Sequence, residues 1–282
     1  MDFKKPSVAL HLPRMGEGKK RHTDHIALLD LGVTVAYKKR PAGVTYPTVQ
    51  QKNHILAAAK RARTIVRIAN DELAKVVLLR KKESQNFINT MDTHFGLIEG
   101  DTANNYLKDN TVNKKFSIRS FLKKDRRWVL NKIREKMLSL SFHLNTGIYL
   151  IDLDLDSRDI YNGVDNRQEA READSVEEGY VYNRAKGSLR HMFGFRNGEI
   201  HVHFSDLQAY SVDSFARIII HEATHKYLST VDHFYAWNAN YYQLKLQDCL
   251  NNADSYAWAA LSLCQGVVKM PNPDSPDWEN SN

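Results

Sequence analysis

The chain has 282 residues, 42% of them hydrophobic, enough to bury a sizeable core in one domain with extensions. Its net charge of +7 would suit an acidic partner, but no RNA-binding or zinc-finger pattern accompanies the charge, so nucleic-acid binding is not expected and the basic residues read as solvated surface. No stretch approaches the length of a transmembrane span.

Residues 1–45 carry nine Lys or Arg against four acidic residues, with prolines at Pro6, Pro13 and Pro41. They read as a basic, partly ordered N-terminal extension, with an export or docking element as the functional alternative. The apolar run Val8-Ala9-Leu10 stops at His11, far short of the apolar region of a signal peptide. The expectation is a protein that is cytoplasmic as made and is exported, if at all, by a signal-independent secretion system.

From Thr48 to Lys82, Ile55, Ala58, Ala59, Ala62, Ile65, Val66, Ala69, Leu73 and Val76 recur at three and four residues and predict one long amphipathic helix. His94 falls in the loop that follows, where a single histidine reads as structural. A second helical block spans Ser117 to Leu144. The period then changes: Gly147 to Asp156 alternates apolar residues with Asp152, Asp154 and Asp156, which reads as a half-exposed edge strand charged against aggregation, with calcium binding as the alternative. Residues 157–178 are polar and read as a loop or short helix that can serve as a lid. Tyr180-Val181-Tyr182 and Gly198 to Phe204 read as strands leading into the next helix. His201 and His203 share a face of the second strand, and exposed polar residues are the ordinary reading of such a pair, against a second metal site.

The stretch from Phe215 to Leu228 is apolar enough for a buried helix, yet it carries His221, Glu222 and His225. Ser211 to Ser214 offer caps. On a helix, residues four apart lie about 6 Å along the axis on one face, so the two histidines form a metal clamp. The pattern His-Glu-x-x-His is that of zinc peptidases, with the carboxylate placed to take a proton from the attacking water rather than to ligate. A third protein ligand is required. Gly and His at three and six residues beyond His225, the metzincin completion, are absent, since Leu228 and Val231 stand there. A thermolysin-like Glu is also missing, Glu279 in the Pro-rich tail being the only Glu after Glu222. Asp232, Asp248, Asp254 and, outside them, His233 remain.

Thr230-Val231-Asp232-His233-Phe234-Tyr235 resembles the second motif of the aspzincins, the deuterolysin and peptidyl-Lys metalloendopeptidase family, which runs Gly-Thr-x-Asp-x-x-Tyr-Gly. Thr, Asp and Tyr match, whereas the flanking glycines are Ser229 and Ala236 here. Asn252-Ala253-Asp254-Ser255-Tyr256 is similar to a further segment of the lysine-specific members. The resemblance implies an α+β, zincin-like metallopeptidase fold with N-terminal helices, a small mixed or antiparallel sheet and an active-site helix carrying the His-Glu-x-x-His motif. It implies zinc held by His221, His225 and Asp232, Glu222 as general base, and Tyr235 as hydrogen-bond donor to the oxyanion. Asp254 and Tyr256 are implied to bind substrate, favouring a basic residue after the cleaved bond. A second pocket acid of the lysine-specific relatives corresponds to Ala257, so a relaxed preference is expected.

Tyr241 to Gln265 reads as one helix, on which Cys249 and Cys264 lie about 22 Å apart along the axis, too far to bridge. The low cysteine count suits a reducing compartment. The expected organisation is therefore an extension over 1–45, a peptidase domain over 46–266 and a mobile tail over 267–282. The expected function is that of a zinc endopeptidase, monomeric, acting on protein or peptide as an effector or toxin, with a secretion machine or cognate inhibitor as partner. The alternative is a catalytically inactive binding module that has kept the metallopeptidase fold and acts through its basic surface.

Overall fold

The computed structural model describes residues 25–30, 32–37, 43, 45–97, 126–152, 179–180, 199–202, 204 and 206–271. The chain divides into two units, Met1–Arg63 with Phe142–Ser229 and Thr64–Ser141 with Thr230–Asn282.

In the first unit, His25–Asp30 (β1) and Val33–Tyr37 (β2) pair antiparallel around Gly32. Gly32 has φ of 74°, a left-handed backbone that favours glycine. Arg63 fastens this turn: its Nη2 donates to the Gly32 carbonyl at 2.7 Å and its Nε to the Leu144 carbonyl at 2.8 Å. A Cβ at position 32 would stand 3.0 Å from that Nη2. The reading of residues 1–45 as an extension is thus corrected for 25–37. β2 is a buried strand of the sheet, formed by the apolar run of Val33 to Tyr37.

The sheet order is β1-β2-β3-β5-β4, where β3 is Ile148–Asp152, β4 is Gly179–Tyr180 and β5 is Glu199–Val202. β2/β3 and β3/β5 are parallel and β4/β5 antiparallel, so the sheet is mixed and the chain is α+β. The edge-strand reading of Gly147 to Asp156 is overturned for Ile148 to Asp152. β3 has a parallel neighbour on either side and every one of its residues is buried, as parallel strands are. The Asp152 carboxylate is buried too, and accepts from Tyr46 Oη at 2.6 Å and from the Phe204 amide at 3.1 Å. Asp154, Asp156, His203 and residues 157–178 lie outside the described residues, as does the side chain of His201.

The predicted long helix runs Val49–Val77 (α1). It opens with a reciprocal cap: Thr48 Oγ1 accepts from the Gln51 amide at 3.1 Å, and Gln51 Oε1 accepts from the Thr48 amide at 2.7 Å. The division between the units falls within α1. Ile55, Ala58, Ala59 and Ala62 are buried in the first unit, and Ile65, Val66, Ala69 and Leu73 in the second.

The second unit adds Gln85–Phe95 (α2) and most of Arg126–Thr146 (α3). His94 is therefore not in a loop but in the last turn of α2, which stops at Gly96 with φ of 62°. The helix predicted over Tyr241 to Gln265 is broken. A 3-10 turn covers Ala239–Gln243, a short helix Leu246–Cys249 (α5), and Ala253–Gln265 (α6) follows. The Leu250 carbonyl at the break accepts from Lys136 Nζ at 2.5 Å and from Tyr256 Oη at 3.0 Å. With the helix interrupted, the spacing argument for the cysteines no longer applies. Cys249 is buried, and burial pushes its thiol pKa up to about 12. α6 packs on α2, with Phe95 edge-on to Tyr256 at 5.2 Å between ring centroids. Among the described residues no helix is long and apolar enough to cross a membrane.

Candidate metal centre

Val212–Leu228 (α4) carries the His-Glu-x-x-His motif and packs against β5 and β4 in the first unit. Ser211 caps it, its Oγ accepting from the Ser214 amide at 3.0 Å. Asp213 in the first turn pairs with Arg61 through two hydrogen bonds of 2.5 and 3.0 Å. Phe215, Ala216, Ile219, Ile220 and Ala223 are fully buried, so the three polar motif residues are held on a helix that cannot readily roll.

His221, Glu222 and His225 are themselves buried. The two Nε2 atoms face each other at 3.1 Å, and Glu222 Oε1 lies 4.0 Å from His221 Nε2. α4 ends at Ser229, whose φ of 56° and ψ of 38° are left-handed, and the chain turns there toward exposed Asp232. Ser229 thus adopts a backbone that glycine favours.

A donor nitrogen or oxygen on each of His221, His225 and Asp232 lies within 4.8 Å of the other two. Of the four third-ligand candidates, Asp232 is the one that joins the pair; Asp248, Asp254 and His233 are not members of the group. Two nitrogens bound at about 2.0–2.1 Å to one tetrahedral zinc stand about 3.4 Å apart. The 3.1 Å between the histidines, with a carboxylate alongside, fits that donor set.

Tyr235, half-buried, stacks on exposed Trp237, with ring centroids 4.3 Å apart and planes 2° apart. Asp254 is fully buried and its Oδ2 accepts from the Ala236 amide at 2.7 Å. Tyr256 is also fully buried, between Phe95 and the Leu250 carbonyl. Its ring and hydroxyl are thus both engaged by partners inside the second unit. Asn252 appears in the segment Asn252 to Tyr256 noted in the sequence, but no role is assigned to it there. An Asn before a helix signals a cap, and nothing in the sequence shows its side chain turning elsewhere.

His94 is buried within the second unit, with Nδ1 3.0 Å from Tyr241 Oη and Nε2 3.2 Å from Ser262 Oγ. Burial lowers its pKa from 6.5 to about 3, against the opposing pull of Asp254. The folded state thus keeps the ring neutral while the unfolded chain protonates below about pH 6.5, so stability falls as pH drops from 6.5 toward 3. Denaturant midpoints between pH 7 and 4.5 should decline more steeply in the native chain than in His94→Gln; equal slopes would show that His94 does not remain neutral.

No protein-family model matches this chain, and no curated protein matches it.

Proposed function

We propose that the chain is a zinc-dependent endopeptidase. The observation that carries the reading is the meeting of one donor atom each from His221, His225 and Asp232 beside a buried glutamate. His221, His225 and Asp232 would hold the zinc, which would supply Lewis-acid chemistry there. The Glu222 carboxylate takes a proton from the attacking water and returns it to the leaving amine. The Tyr235 hydroxyl, three residues beyond Asp232 and braced by Trp237, donates to the oxyanion. Asp254 is fully buried and already accepts from Ala236, so a pocket for a basic side chain is not part of the proposal.

Elemental analysis of purified protein, together with cleavage of a denatured protein mixture followed by mass spectrometry, tests this. About one zinc per chain and cleavage abolished by chelation and restored by zinc are expected. Full zinc content in His221→Ala would overturn the metal assignment. Zinc without cleavage of any substrate would favour the binding module.

A further inference from the structure

We propose that Asn252 is a positioning residue for the metal centre, setting the backbone that presents Asp232 and Tyr235. The inference rests on the zinc reading above, but the geometry behind it lies wholly within the second unit.

Asn252 occupies the N-cap position of α6, where an Asn side chain ordinarily accepts from the helix's own second or third amide. Ser84 and Ser211 do this for α2 and α4. Asn252 makes no such capping bond. Its Oδ1 instead accepts from the His233 amide at 3.0 Å and more distantly from the Phe234 amide at 3.4 Å, while its Nδ2 donates to the Phe234 carbonyl at 3.0 Å and to Ser255 Oγ at 3.2 Å. Asn252 is fully buried, so these bonds replace solvent as well as the cap.

Backbone and neighbours act in the same sense. Val231 and Asn252 form a parallel bridge, the Val231 amide donating to the Asn251 carbonyl at 2.8 Å and the Ala253 amide to the Val231 carbonyl at 3.1 Å. Asp254 receives the Ala236 amide. The segment from Val231 to Ala236 is thereby fastened at 231, 233, 234 and 236, on both sides of Asp232 and Tyr235. A carboxylate on an exposed turn would otherwise sample many positions, and fixing its backbone lowers the entropy lost when it ligates.

The test is a mutant cycle on zinc affinity, measured by competition with a chelator in the native chain, Asn252→Ala, Asp232→Ala and the double variant, alongside amide exchange of the metal-free proteins. Asn252→Ala should raise the zinc Kd about 10- to 100-fold when Asp232 is present and change it little when Asp232 is absent, since it acts through that residue. The amides of His233 and Phe234 should exchange faster in metal-free Asn252→Ala. Equal losses in both backgrounds, or unchanged exchange at His233, would overturn the proposal. If Asn252→Ala does not fold, Asn252→Asp replaces it: this variant keeps the acceptor for both amides, loses the donor to Phe234, and should show a smaller rise in Kd. A native chain that binds no zinc would instead overturn the zinc reading, and the exchange measurement would still decide whether Asn252 holds the segment.

Discussion

Glu222→Gln protein should retain its zinc and lose peptide hydrolysis by about 100- to 10,000-fold, the usual contribution of a positioned general base. The substitution keeps the size and hydrogen-bonding capacity of a side chain that is 4% exposed on a tightly packed helix, so folding and the His221–His225 pair should survive. What it removes is a carboxylate able to hold a proton. Kinetics on a quenched peptide, paired with metal analysis of the same preparation, separate the two effects. Unchanged turnover would show that another group activates the water, whereas loss of zinc would make Glu222 a ligand.

Asp232→Ala should lower zinc affinity by more than about 100-fold and activity with it, because a ligating residue contributes more than the outer groups that orient ligands. Asp248→Ala and His233→Ala should leave zinc binding nearly intact, since neither residue joins the two histidines. Chelator competition on the three variants ranks the candidates directly. Retention of zinc in Asp232→Ala with loss in Asp248→Ala would reverse the assignment.

The features that the sequence disclosed were those written in local spacing. Apolar residues at three and four positions located α1, Ser211 and Ser214 marked the start of α4, and the two histidines four apart shared a helical face. What escaped depends on partners distant in the chain. β2 was hidden because Lys38-Lys39-Arg40-Pro41 follow it directly, and its neighbour β3 begins only at Ile148. The burial of Asp152 follows from strands on both sides and from Tyr46 and Phe204, none of which is visible in an alternating pattern. The apolar spacing of Leu250, Ala253 and Ala257 continues straight through the helix break, so periodicity gave no warning of it. The direction of the Asn252 side chain was equally invisible, being decided by the Val231 bridge.

The parallel pairing of β2 with β3 also bears on how the molecule is made. Every residue from Lys38 to Gly147, including all of α1 and α2, must be synthesised before β3 can join β2. The hairpin of β1 and β2 leaves the ribosome with its inner edge unpaired, and a two-stranded hairpin alone is marginal in water. Helices form from local contacts in microseconds or less, whereas this strand pairing must first close a long loop, at an entropic cost that grows with the logarithm of its length. Assembly of the sheet is therefore a late, high-contact-order step. The motif helix α4 lies after β5 in the chain and packs against it, so its seat belongs to this same sheet.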